Sequence, residues 1–225
     1  MRVIQINFHG DHNLGLFGKS SDKFCLVGNF VPDKKIEKMK EVLKNHIVKA
    51  TIANTDFVGI FCSLNSNGLL LPKIVIEREL IQLKKLKKEF GIDLEILKTK
   101  FTALGNLILC NDNGAVVSKL IKRNEKKKIV DCLDVEVDYA DIAKMSMVGS
   151  CGMANNKGCL IHRDASEEEI EKIKNILKVE TDIGTANFGS PFVGSCAIAN
   201  SHGALVGEST TGAEITRLME TLGFI

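Results

Sequence analysis

Gly59-Ile60-Phe61-Cys62-Ser63-Leu64-Asn65-Ser66-Asn67-Gly68 carries the skeleton on which the chain is built. A glycine is followed nine residues later by a second glycine, with an asparagine three before the second. The skeleton returns as Gly105–Asn111–Gly114, Gly149–Asn155–Gly158 and Gly194–Asn200–Gly203, and the leading glycines step by 46, 44 and 45 residues. Forty-four residues before Gly59 lies Gly15, in Asn13-Leu14-Gly15-Leu16-Phe17, where the downstream turn is reduced to Ser21-Asp22-Lys23. A fixed period of this length marks one supersecondary unit repeated along the chain. Five units, near 1–48, 49–96, 97–139, 140–183 and 184–225, account for all 225 residues as a single domain.

Each unit reads as ββαβ. An apolar run such as Asp56-Phe57-Val58 leads into the first glycine, and a strand-like segment such as Ser195-Cys196-Ala197-Ile198-Ala199 follows. The Asn-x-x-Gly turn then gives way to a short apolar strand: Leu69-Leu70-Leu71, Ala115-Val116-Val117, Cys159-Leu160-Ile161, Ala204-Leu205-Val206. Asparagine bonds its own backbone in turns, and glycine is expected here to supply a positive φ, so the pair predicts a β-hairpin. A helix follows. Ser166-x-x-Glu169 and Thr211-x-x-Glu214 are capping boxes, with Ile170, Ile173 and Leu177 and then Ile215, Leu218, Met219 and Leu222 on one face behind them. Leu80, Leu83, Leu86 and Phe90 form a third stripe ending at Gly91, and Ile36, Met39 and Leu43 a fourth after Pro32-Asp33. The remaining helix, Asn124 to Leu133, is the shortest, and an alternating strand such as Leu94-Glu95-Ile96-Leu97 is expected to close every unit.

Terminal repeats of an open solenoid need polar caps, and both end units here carry the same apolar faces as the middle ones. Closing the five into a ring removes the ends, as propellers do. The fold class expected is therefore α/β, a closed five-fold pseudosymmetric propeller with hairpins around the axis and Lys/Glu-rich helices outside.

Composition narrows the function. A net charge of +2 excludes a strong field toward nucleic acid or membrane, and the lysine runs at 84–85, 87–88 and 126–128 read as solvated helix faces. The start of the chain has no long apolar core, so no secretory leader is expected and the location is cytoplasmic. Residues 183–207 lack charged groups but are broken by Gly, Ser and Asn, a buried hairpin rather than a membrane span. Seven cysteines, none in a Cys-x-x-Cys pair, read as core thiols in a reducing compartment, and neither they nor His9, His12, His46, His162 and His202 have metal-ligand spacing. Gly18-Lys19-Ser20 lacks the upstream glycine of a phosphate-binding loop, and His162-Arg163-Asp164 lacks the asparagine of a kinase catalytic loop. No catalytic residue, cofactor, metal or small-molecule substrate is expected.

What remains is polar turn chemistry repeated on one rim: Asn65-Ser66-Asn67, Asn111-Asp112-Asn113, Asn155-Asn156-Lys157 and Asn200-Ser201-His202. Asn106 stands apart. It follows a leading glycine where the other units have Ile60, Ser150 and Ser195, and a polar amide that breaks the repeat is a contact candidate.

Thr102-Ala103-Leu104-Gly105-Asn106 with Cys110-Asn111-Asp112 resembles the middle of the translation initiation factor 6 family. So do Asn13-Leu14-Gly15-Leu16-Phe17, Phe24-Cys25-Leu26-Val27, Asn65-x-x-Gly68-Leu69-Leu70-Leu71-Pro72 and Val148-Gly149-Ser150, so that the resemblance runs through the whole chain. It implies the pentein fold, a five-fold α/β propeller, and a non-enzymatic role as a ribosomal anti-association factor. Members bind the large subunit on its intersubunit side, touching a ribosomal protein near the sarcin–ricin region of the rRNA, and block the small subunit. Eukaryotic members also serve in large-subunit maturation. The resemblance places Asn65, Asn106 and Asp112 on the binding face, and the rim residues Ser66, Asn67, Asn111, Asn113, Asn155, Asn156, Lys157 and Asn200 join them as candidates. Eukaryotic members have an arginine where this chain has Ile60, and a tail beyond the last helix where this chain stops at Ile225. The expectation is an archaeal-type monomer without regulation through that tail. The competing reading is enzymatic. Penteins also include guanidino-modifying enzymes with a nucleophilic cysteine in the last unit, where Cys196 lies, and His162 or His202 would serve as its base.

Overall fold

The computed structural model describes residues 2–225. Among them lie five three-stranded sheets, in the orders β2-β3-β4, β5-β6-β7, β8-β9-β10, β11-β12-β13 and β14-β15-β1. The inner strands are β2 (Gly18–Ser20), β5 (Ser63–Leu64), β8 (Ile108–Cys110), β11 (Gly152–Ala154) and β14 (Ala197–Ala199). Each forms an antiparallel hairpin with a middle strand: β3 (Phe24–Gly28), β6 (Gly68–Pro72), β9 (Gly114–Ser118), β12 (Gly158–His162) or β15 (Ala204–Gly207). A long helix then carries the chain over to an outer strand parallel to the middle one. These helices are α1 (Asp33–Leu43), α3 (Glu77–Phe90), α5 (Lys126–Leu133), α7 (Glu167–Leu177) and α9 (Gly212–Thr221). The outer strands are β4 (His46–Ala50), β7 (Asp93–Leu97), β10 (Glu136–Ala140) and β13 (Glu180–Gly184).

The fifth sheet departs from the expected order. The chain after α9 has no closing strand; β1 (Val3–Ile6) supplies it, pairing parallel to β15 from Val3 opposite Ala204 to Ile6 opposite Gly207. The two ends of the chain thus meet in one sheet and latch the ring. The inner strands contact one another in cyclic order, from β2 through β5, β8, β11 and β14 back to β2.

The leading glycines do not lie in strands. They sit in one-turn helices that the apolar pattern alone did not mark: α2 (Val58–Phe61), α4 (Leu104–Leu107), α6 (Val148–Cys151), α8 (Val193–Cys196) and the 3₁₀ turn Leu14–Leu16. These turns pack in a second cycle, glycine on backbone. A β-carbon on Gly59 would fall on the carbonyl oxygen of Gly15, one on Gly105 on Gly59, one on Gly149 on Gly105, one on Gly194 on Gly149, and one on Gly15 on Gly194. The turn glycines follow the same logic rather than the expected one. Gly68, Gly114, Gly158 and Gly203 are not among the positive-φ residues. Each faces backbone instead: Cys132, Ile176 and Thr221 for the first three, and Arg2 and Val42 for Gly203. Glycine is required there for close approach, not for a left-handed backbone.

The capping boxes form as read, with Ser166 Oγ accepting from Glu169 N at 3.2 Å and Thr211 Oγ1 from Glu214 N at 3.3 Å. Three glutamates also tie their long helices, α3, α7 and α9, to the loop before the one-turn helix. Glu79 accepts from Thr51 Oγ1, Ala53 N, Asn54 N and Ile76 N, and Glu214 from Thr185 Oγ1, Phe188 N, Gly189 N and Thr211 N. Gly91 ends α3 in the left-handed conformation, φ +62°.

Gly105→Ala is expected to lower stability by about 3 kcal/mol or more, since backbone rather than a flexible side chain blocks the added methyl. Gly212→Ala, with open space around it, is expected to leave the urea midpoint unchanged or raised.

Candidate functional site

The inner strands run from the one-turn helices to the Asn-x-x-Gly turns, so the ring has two mouths roughly 10 Å or more of strand apart. The turn mouth holds ten of the eleven candidate residues; Asn106 belongs to α4, at the other mouth. Asn65 and Asp112 are therefore not brought together with Asn106 on one face.

At the turn mouth, Asn65, Asn111, Asn155 and Asn200 are buried, and each makes four hydrogen bonds within the ring. Asn111 shows the pattern. Its Oδ1 accepts from Asn113 N and Gly114 N, both at 2.9 Å, which is the turn. Its Nδ2 donates to Asn155 O at 3.0 Å and Leu177 O at 2.9 Å, both in the next unit. Asn65 reaches Asn111 O and Leu133 O, Asn155 reaches Asn200 O and Leu222 O, and Asn200 reaches Ser21 O and Leu43 O. An amide has two donors and two acceptor positions, so none of the four has capacity left for a partner. The structure shows these four candidates as staples between neighbouring units.

The next residue of each turn forms a second tier. Asp112 Oδ1 accepts from Ser66 N, Asn156 Oδ1 from Asp112 N, Ser201 Oγ from Asn156 N, and Asp22 Oδ1 from Ser201 N. Asn156 Nδ2 lies between the carboxylates of Asp112 and Asp22, at 2.7 and 2.9 Å. Asn67 Nδ2 donates to Leu133 O and Lys157 Nζ to Ser201 O. Lys23, Lys157 and His202 are exposed at this mouth, and Asn113 is half-buried with its side chain unbonded.

Behind this mouth the channel between the inner strands narrows to about 50 Å³, lined by Lys19, Ser63, Leu109, Cys110, Met153 and Ile198 among others. Burial pulls the Lys19 ammonium below its ordinary range, with Cys62 and Cys110 opposing. Burial likewise pushes the Cys62 and Cys110 thiols up to about 12 and about 11. Cys196 is buried in α8 with its Sγ 3.9 Å from Asn13 Oδ1, and burial raises its thiol. A nucleophilic cysteine needs the opposite shift and a base beside it. His162 instead packs edge-on to Phe192, and its Nδ1 accepts from Asp164 N. All seven cysteines are free thiols, and no group of three or more His, Cys, Asp or Glu among the described residues is arranged to hold a metal.

The other mouth carries an exposed apolar patch, with Asn106, Ser150 and Ser195 as polar groups at equivalent positions. Phe57 and Met147, each just before a one-turn helix, are 41% and 42% exposed. Leu16, Ile60 and Phe61 are half-buried beside them. Asn106 is half-buried among these residues, and its side-chain amide makes no hydrogen bond within the described residues. The sequence held the signal for this face, an apolar residue two before the leading glycine. In a chain that buries nearly every such residue, it passed as core.

Five ββαβ sheets closed on a narrow axis define a pentein. Residues 3–221 match the eIF-6 family. The chain is 44% identical to translation initiation factor 6 of Pyrococcus abyssi over 227 residues, covering all of both chains. It is 42% identical to translation initiation factor 6 of Methanocaldococcus jannaschii over 191 residues, covering 84% of this chain and 83% of that one. The chain belongs to the translation initiation factor 6 family, in its archaeal form. Solved structures overlap more loosely. DDAH from Pseudomonas aeruginosa has a TM-score of 0.47 at 8% identity, covering 77% of this chain and 68% of that one. C. jejuni agmatine deiminase has a TM-score of 0.41 at 16% identity, covering 70% and 59%. Neither overlap carries an argument about chemistry here.

Asn111→Ala is expected to cost about 2 kcal/mol or more, because it strands two carbonyls and two N–H groups inside the ring. Removing the unbonded Asn113 side chain is expected to change the unfolding midpoint little.

Proposed function

We propose that this protein acts in the cytoplasm as a monomeric ring, a single domain over residues 1–225, that binds the large ribosomal subunit on its intersubunit face. There it blocks joining of the small subunit by occupying the space. Family membership supports a role in translation initiation, and the relatives compared above bear that name. A blocker of this kind needs a rigid face and affinity, not chemistry.

The observation that carries the reading is Asn106. Its amide has both donors and its acceptor free, on a mouth with Phe57 and Met147 exposed beside it. Apolar surface around a few directional polar groups is the usual composition of a protein–protein contact, and about 800 Å² per partner suffices for a specific one. We therefore assign the contact to this mouth, with a ribosomal protein as the partner and rRNA at its edge. The turn mouth is then the ring's own fastening, with Lys23, Lys157 and His202 as its exposed groups.

The test is co-sedimentation with separated subunits, followed by reassociation with the protein present. Wild-type protein is expected to pellet with the large subunit alone and to suppress joining. Asn106→Ser is expected to weaken large-subunit binding about tenfold, within the 1–3 kcal/mol of a hydrogen bond lost to a buried partner, with unchanged stability. Asp112→Ala is expected to lower stability first, because Asp112 holds Ser66 N and Asn156 Nδ2. Wild-type affinity in folded Asn106→Ser sinks the assignment of this mouth.

A further inference from the structure

One of the five units breaks the pattern on the outside of the ring. Four have a tight bridged turn before the one-turn helix: Phe8 with Asp11, Ile52 with Thr55, Ile142 with Met145, and Ala186 with Ser190. The third has none among the described residues. Its connection from Leu97 to Gly105 is one residue shorter than that from Ala50 to Gly59 or from Ala140 to Gly149. The loss falls opposite Glu125, which corresponds to Glu79, Glu169 and Glu214. Those three each accept two or more loop N–H groups; Glu169, for example, takes Ala143 N and Lys144 N at 3.0 Å each. Glu125 accepts no hydrogen bond within the described residues. Its side chain is nine-tenths buried, and its Oε2 is sealed from solvent with no hydrogen bond, paired only with the Lys128 ammonium at 3.5 Å.

The missing turn leaves a notch of about 300 Å³. Glu125 lines it, together with Phe101, the exposed Leu120 and four lysines, Lys73, Lys98, Lys100 and Lys122. All four lysines are exposed, and none forms an ion pair within the described residues. Lys100 Nζ lies 4.9 Å from the centre of the Phe101 ring. The notch thus offers a surplus of unpaired cations at its rim, an aromatic wall, and a carboxylate in its floor that lacks the donors its sister groups have.

We propose that this notch binds an unpaired guanine nucleotide, either free or within single-stranded RNA. The lysines suit phosphates, and Phe101 and Leu120 offer apolar surface to a base. Glu125 selects the base. An ionised carboxylate only accepts, and guanine's Watson–Crick edge presents two adjacent N–H donors, whereas adenine and uracil set an acceptor beside each donor. Binding requires the carboxylate to leave Lys128 and turn its acceptors into the notch, a rotation about the terminal torsion, which is broad. The notch shares no lining residue with either mouth, and the proposal does not depend on large-subunit binding.

The test is fluorescence anisotropy of the full-length protein with labelled UUUGUU and UUUAUU ribonucleotides over a salt series. The guanine oligomer is expected to bind at least fivefold tighter. Glu125→Gln is expected to abolish that preference while keeping the weak binding of UUUAUU. Lys98→Ala with Lys100→Ala, both exposed, is expected to weaken binding at least tenfold and to flatten the salt slope by about 1.4. Competition with GMP separates the two sources. Equal potency assigns the site to free nucleotide, and a tenfold or greater deficit assigns it to RNA. Equal binding of the two oligomers overturns the proposal, as does a preference that survives Glu125→Gln. Displacement of the RNA by heptaglutamate at equal potency also overturns it, leaving a nonspecific cationic rim.

Discussion

The structure depends on how closely five backbone turns approach one another around an axis. Where one leading glycine would carry a side chain, the carbonyl of the preceding one already stands, from Gly15 through Gly59, Gly105, Gly149 and Gly194 and back to Gly15. The contact cannot be loosened at one point without being loosened all round, because the ring is closed. It fixes the diameter of the inner strands, and with it the narrow channel and the splay of the sheets. The latch of β1 on β15 closes one continuous chain into a ring with a single non-covalent join.

The turn mouth repeats the closure in hydrogen bonds, but not completely. Four asparagines staple each unit to the next. At the first position Ser21 takes the asparagine's place, and its Oγ serves only its own turn, accepting from Lys23 N and Phe24 N. No side-chain bond runs from it to the second unit, and Ser66 Oγ across the gap is buried without a partner. That seam is held by aromatic packing and, away from the turn, by Phe30 N donating to Asp56 Oδ1 at 3.1 Å. Phe17 stacks on Phe57 at 5.3 Å between ring centroids, and Phe24 on Phe90 at 5.4 Å. Directional amides at four joints and stacked rings at the fifth make one rigid body, and the mouth it carries is set by backbone rather than by mobile loops.

Much of this was legible in the sequence. The 45-residue period gave the number of units, the capping boxes at Ser166 and Thr211 gave helix starts, and uncapped apolar end units gave closure. Three things were not legible, each for a physical reason. A period cannot say which end of the chain supplies the last strand, since β1 and a strand after α9 would satisfy it equally. Four-residue helices show no amphipathic stripe, so α2, α4, α6 and α8 read as strand. And an asparagine in an Asn-x-x-Gly turn looks the same whether its outer amide meets solvent or, as at Asn65, two carbonyls of the neighbouring unit. The asparagines that obey the repeat are the ones that hold the ring together. The residue that departs from it, Asn106, keeps its amide free at the opposite mouth, as Asn113 does at the turn mouth.

In the proposed complex the mouth that carries Phe57, Met147 and Asn106, and not the turn mouth, faces the partner. Hydroxyl-radical footprinting of side chains reads the two separately, on the protein alone and on its complex with large ribosomal subunits. The account predicts that Phe57 and Met147 lose at least fivefold in oxidation rate on binding, while His202 keeps its own. Protection of His202 with Phe57 and Met147 still reactive would contradict it.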